Sequence, residues 1–194
     1  MILLYSYITY YILSSIGITF GYHRYFAHNE YRIPKIFEIV LLYIGLLCGG
    51  QSPLTWCGVH RMHHAYSDTP NDPHSPLYNS WWRILLSLWR VNNIPRKFVK
   101  DLYMNQRVMF FHKHGSLILA FTYFFTIVFV PYIFAILLIV YVMSYLFYGF
   151  LNLFGHSKTG SVNRWWINAF APFEGRHYDH HIDSHKQHRN KVIL

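Results

Sequence analysis

The chain has 194 residues, of which 53% are apolar and 20% aromatic, with 17 Lys and Arg against 8 Asp and Glu. That length fits one domain, and the apolar content excludes a disordered tail or an ordinary cytosolic protein. The net charge of +9 comes from basic residues that flank apolar stretches and form no separate domain, which argues against nucleic-acid binding and for contact with anionic lipid.

Met1 to Tyr22 carries no charged side chain. One membrane crossing needs roughly 20 apolar residues, so a span is expected at about 1–22. The stretch lacks the basic start and small-residue cleavage site of a signal peptide, and a retained span is expected. His23 and His28 follow at once. They lie five residues apart, about 140° around an ideal α-helix. They converge if the helix ends between them, or else they address two metals.

Ile36 to Gly50 is apolar but short, contains Glu38 and ends in Gly49-Gly50. A crossing here would put His28 and His60 on opposite sides of a membrane. Runs of this length are more often interfacial or re-entrant, and that is the expectation for about 36–50. His60, His63 and His64 then fall at i, i+3 and i+4, neighbours on a helix surface. Ser67 to Pro76 is a loop rich in proline and aspartate. Segment 80–90, with Trp81, Trp82, Trp89, Arg83 and Arg90, reads as an amphipathic interfacial helix.

Gly115 to Gly155 is uncharged and long enough for two spans, about 115–131 and 132–152, with Pro131 marking the hairpin. Asn152 and His156 form an i, i+4 pair at its end, and His177, His180 and His181 repeat the earlier triplet. All Lys and Arg lie outside the uncharged windows, as do all six Trp. Positive flanks stay in the cytoplasm and Trp favours the membrane boundary, so 23–114 and 156–194 are expected on the cytosolic side. Cys48 and Cys57 make neither a disulfide framework nor a zinc ribbon and read as packing residues.

Nine histidines in these clusters exceed what packing requires. A lone buried histidine is usually a satisfied core residue, but two His-x-x-His-His triplets at span ends are not a packing pattern. Imidazole suits zinc, copper, iron and nickel. A zinc takes three or four protein ligands, so nine histidines fit two irons with open positions better than one zinc. A carboxylate-rich di-iron site would use two Glu-x-x-His motifs, and Glu174 to His177 is the single match. His74 reads as a turn cap or as a residue orienting a ligand. His112, His114, His185 and His188 read as surface or interfacial.

The clusters, with their surroundings, resemble the membrane fatty acid desaturases, in particular the acyl-CoA (stearoyl, delta-9 type) desaturase group. Gly17 to His28 resembles the first histidine box, Trp56 to His64 the second, Ser67 to His74 the loop after it, Asn152 to His156 the extra Asn-x3-His element, and Glu174 to His181 the third box. The resemblance covers about residues 14–181. It implies an all-α, multi-pass membrane protein, a single domain over 1–194 with about three transmembrane helices and a cytosolic helical cap holding a di-iron site. By position, two iron ions would be held by His23, His28, His60, His63, His64, His156, His177, His180 and His181, with Asn152 acting directly or through water. His74, Asp72 and Asp179 are candidates for the residues behind those ligands.

The implied reaction is O2-dependent insertion of a cis double bond into a long-chain acyl substrate, carried as acyl-CoA, acyl-lipid or on acyl-carrier protein. Electrons would come from a separate donor of cytochrome b5 or ferredoxin type. Family members usually carry another span before the first box and a longer segment after the third. The charged pair that precedes the second box in animal acyl-CoA members is Gly58-Val59 here, which leaves the acyl carrier open. Two alternatives are a di-iron lipid hydroxylase of the related membrane oxygenase class and a non-catalytic metal-binding membrane protein. The latter would place polar ligands inside its spans.

Overall fold

The computed structural model describes residues 1–88, 91 and 93–183. Trp89, Arg90, His185 and His188 lie outside the described residues. The chain is mainly helical. Helix α1 (Ile2–Ser14) runs without a break into a π-helix (Ser15–Ala27), followed by α2 (Lys35–Leu47), α3 (Pro53–Tyr66), the short α4 (Trp81–Leu85) and α5 (Lys100–Met104), and the long α6 (Gln106–Phe129) and α7 (Pro131–Phe154). The all-helical expectation needs one correction. His156–Ser157 (β1) and Gly160–Ser161 (β2) pair antiparallel as a small hairpin. A 3₁₀ turn at Trp165–Ala169 follows, and residues 177–183 are helical again.

Among the described residues, two helices are long and apolar enough, by length and composition, to cross a membrane: Ile2–Ala27 and Pro131–Phe154. Helix α6 is as long as α7 but starts at Gln106, well before the uncharged window opens, and so includes Arg107 and Lys113. Its start is fixed by Asn105, whose side chain accepts from the backbone N–H of Arg107 (3.0 Å) and Val108 (3.3 Å), an N-cap that satisfies two otherwise open donors. Pro131 sits at the first turn of α7, where its missing N–H costs nothing. Ser52 and Pro53 open α3 in the same manner, with Ser52 Oγ accepting from Thr55 N–H at 3.1 Å. Among the described residues, the interfacial helix expected over 80–90 is confined to Trp81–Leu85.

The main core packs the π-helix and α2 together, with Tyr22, Ile18, Leu42 and Val140 all buried. Close approach demands glycine there: a Cβ on Gly17 would lie 2.4 Å from the backbone nitrogen of Gly45. At the α4–α7 contact a Cβ on Gly149 would lie 2.0 Å from the carbonyl oxygen of Leu85. Glu38, buried in α2, is a second tie. It accepts from Arg107 Nε (2.7 Å), Asn105 Nδ2 (3.1 Å) and the Tyr25 hydroxyl (2.8 Å), so one carboxylate joins α2, the start of α6 and the π-helix. Burial opposes its charge, but these donors hold its carboxyl below the usual range.

The segment leading to residues 177–183 hangs from the first helix. The hydroxyls of Tyr7 (2.7 Å) and Thr19 (2.9 Å) donate to the carbonyls of Ala169 and Pro172, and the Tyr10 hydroxyl donates to that of Phe170. Because neither neighbour at the glycine contacts is a side chain that can swing aside, Gly17→Ala and Gly149→Ala are each expected to destabilise by about 1–3 kcal/mol, the cost of overpacking. Thermal unfolding of the detergent-solubilised protein checks this.

Candidate metal centre

The π-helix answers the question posed by His23 and His28. Its backbone bonds run i→i+5, and the His28 N–H donates to the His23 carbonyl at 3.0 Å. Residues five apart therefore stack one turn above the other, and the two rings stand 4.9 Å apart. On an α-helix they would diverge.

The two triplets divide in opposite senses. On α3, His60 and His64 share one stripe and His63 lies off it. At the third box, His177 and His181 share a stripe and His180 lies off it. Among the described residues, the boxed histidines fall into two groups. His23, His28, His60, His64 and His180 form the first, and His63, His156, His177 and His181 the second. Within each, the ligand-capable nitrogens all lie within 4.8 Å of one another.

In the first group the Nε2 atoms are separated by 2.8 Å (His23–His180), 2.9 Å (His28–His60), 3.0 Å (His60–His64) and 3.0 Å (His64–His180). In the second, His156–His177 is 3.0 Å and His177–His181 is 3.2 Å. Two nitrogens each about 2.1 Å from one ion and at right angles stand about 3.0 Å apart, so these spacings fit metal ligation.

Carboxylates fix the orientation. Glu174 takes Nδ1 of His23 at 2.8 Å, Asp72 takes Nδ1 of His63 at 2.9 Å, and Asp68 takes Nδ1 of His156 at 3.1 Å. A neutral imidazole carries one N–H. With that proton on Nδ1 and donated to a carboxylate, Nε2 presents a lone pair inward, and the carboxylate raises its basicity as a ligand. His63 Nε2 is buried with no hydrogen-bond partner among the described residues. This donor set fits a cation in each group.

Burial, with the neighbouring imidazoles, holds His60, His63, His64 and His177 well below the usual histidine range, and brings His180 down to about 3. Burial thus favours the neutral form, which is the one that binds metal. Burial pushes Asp72 up to about 6. For Glu174, burial alone would do the same, but the His23 imidazole beside it outweighs that and lowers it.

A cavity of about 410 Å³ opens on both groups, lined by His60, His63, His177 and Asn152 and also by Gly49 and Ser144. Trp56, on its wall, stacks on His60 at 5.2 Å. Asn152 lies in the last turn of α7 beside this cavity. His74 stacks on His63 at 4.2 Å, and burial brings it down to about 3. Its backbone N–H is held by Asp72 at 3.1 Å. Asp179, a candidate for orienting an imidazole, has its carboxylate on Arg176 at 2.8 Å. His112 and His114 are exposed. Asp68 and Glu174 were not singled out as orienting residues from sequence. The available signal is scarcity, since acidic side chains number 8 and several stand beside the histidine boxes.

Fold and site together define a helical protein with two adjacent histidine clusters, each able to hold a metal ion. The chain matches the fatty acid desaturase family over residues 1–190. It is 30% identical over 193 residues to the sn-1 stearoyl-lipid 9-desaturase of Synechocystis sp., covering 91% of this chain and 59% of that protein. It is 31% identical over 188 residues to Delta-9 acyl-lipid desaturase 2 of Arabidopsis thaliana, covering 89% and 61%. Identity to Delta-9 desaturase-like 5 protein of the same plant is 28% over 186 residues, covering 88% and 62%. The chain belongs to the fatty acid desaturase family, and it spans about three fifths of the length of these curated relatives.

Removing an orienting carboxylate leaves the ligands present but loosely aimed. Asp68→Ala is expected to weaken metal retention by about 10–100-fold, the usual effect of losing such a partner. Chelator competition with the iron-loaded protein measures it.

Proposed function

We propose that this chain is an O2-dependent fatty acyl desaturase that introduces a cis double bond of delta-9 type into a long-chain acyl substrate. The observation that carries this reading is that residues of both histidine groups line one cavity together with α7 and the loop before α3. The names of the relatives, stearoyl-lipid and acyl-lipid desaturases, favour a lipid-borne acyl chain over a CoA ester, in keeping with Gly58-Val59 before the second box.

Two iron ions would be held by the nine boxed histidines, one by each group, where they would activate O2 as the oxidant that removes two hydrogens from the unactivated acyl chain. The chain's own residues do the rest. Glu174, Asp72 and Asp68 aim His23, His63 and His156. Asn152 lines the cavity and contributes directly or through water. The cavity walls, with Trp56, Ser144 and Tyr145 among them, hold the acyl chain in one register, so that one carbon pair meets the ions. Electrons come from a separate donor protein of cytochrome b5 or ferredoxin type.

We read 1–194 as a single membrane domain. α1 with the π-helix, α6 and α7 are the spans, centred on about 1–22, 115–131 and 132–152. α2, at about 36–50, lies in or dips into the cytosolic face, where the metal centre sits. The basic flanks, and the absence of Lys and Arg from the N-terminal stretch and the α6–α7 turn, support that orientation.

Expression of the chain in a desaturase-deficient cell, followed by fatty acid profiling, tests this reading. A new cis-monoene, lost in His63→Ala while the protein stays in the membrane, is the expected result. Intact, iron-loaded protein without a new monoene overturns it. A hydroxylated lipid in its place would assign the related hydroxylase reaction.

A further inference from the structure

Arg61 lies inside the second box, between His60 and His63, yet it points away from both histidine groups. It is buried, and all five guanidinium N–H donors have acceptors. Nε donates to the carbonyl of Ala27 at 2.8 Å. Nη2 donates to the carbonyl of Phe26 and to Asp101 Oδ2, both at 2.8 Å. Nη1 donates to the carbonyl of Phe98 at 2.9 Å and to Asp101 Oδ1 at 2.6 Å.

The carbonyls chosen are informative. A helix leaves its last carbonyls without backbone partners. At the end of the π-helix, those of Arg24 and Tyr25 are taken by the N–H groups of Glu30 and Asn29. Those of Phe26 and Ala27 are taken by Arg61, so a side chain of α3 caps the π-helix. Ala27 is the residue before His28. The cap therefore ties the backbone at His28 to the helix that carries His60 and His64, and Asp101 on α5 holds the guanidinium from its other side. A cation also suits the negative end of a helix.

We propose that Arg61 is a positioning residue that sets His28 in register with His60 and His64, and so completes the five-histidine group without touching a metal. The proposal rests on the reading of the two groups as metal positions. It assigns Arg61 a selective role, because the four-histidine group takes no residue from the π-helix. A lysine keeps the charge but has three donors at one point and cannot span two carbonyls, a third carbonyl and a carboxylate.

The test is iron content per chain, with Mössbauer spectra, on detergent-purified full-length protein. The wild type should hold two ions. Arg61→Lys should hold one, with the spectral component of the five-histidine position missing, while His181→Ala loses the other component. Asp101→Asn, which leaves the arginine in place but frees its outer side, serves if Arg61→Lys does not fold. It should weaken the same component alone, by about 10–100-fold. Arg61→Lys with both components at wild-type strength overturns the proposal. So does parallel loss of both components in either variant, which would mark Arg61 as a general fold support. A wild-type chain holding fewer than two ions overturns the metal reading itself, and this assignment with it.

Discussion

Desolvation of nine imidazoles is the constraint on which the rest of the structure depends. A buried polar group left without a partner costs about 1–3 kcal/mol, and several lone pairs aimed at one point add mutual repulsion. The surroundings show how this is met. Three carboxylates take ring N–H groups, neighbouring rings stack edge to face, and the inward nitrogens are left spaced as ligands of a common ion would be. Burial also favours the neutral form of His60, His63, His64, His177 and His180. A site of this kind is poorly stable as bare protein and strongly coupled to whatever cation it holds.

Meeting that constraint dictates the scaffold. Four separated segments must deliver imidazoles to points a few ångströms apart, so the scaffold is clamped by groups that do not themselves face the site. The π-helix is packed on α2 through Gly17 and Gly45 and capped by Arg61. The segment before the third box is suspended from α1 and the π-helix by three hydroxyls on backbone carbonyls. Glu38 secures α2 and α6 to the same π-helix. These clamps cross long sequence separations, and they account for polar and charged side chains buried among so many apolar ones.

Much of this was legible in the sequence, because spacing and charge are local. The triplets at 60–64 and 177–181 declared helical neighbours, though not their division between two groups, and the uncharged windows declared the long helices. Other features were not legible, for physical reasons. The geometry of His23 and His28 depends on i→i+5 backbone bonds, which side-chain periodicity does not encode. The start of α6 depends on a cap at Asn105, ten residues ahead of the window that hydropathy marks. Asp68 and Glu174 act on His156 and His23 across contacts 88 and 151 residues apart. Arg61 looked like part of a histidine motif, while its partners lie in two other segments.

The division of the histidines between the groups also has a consequence in time. The first group draws four of its five members from residues 23–64 and the last from His180, whereas the second has His63 alone until His156 and the third box arrive. A chain emerging from the ribosome thus presents four donors for one ion while α6 and α7 are still unmade. The other position stays open until the end of the domain is reached. In sequence order the third box is therefore the element that completes both groups, supplying His180 to the first and His177 and His181 to the second.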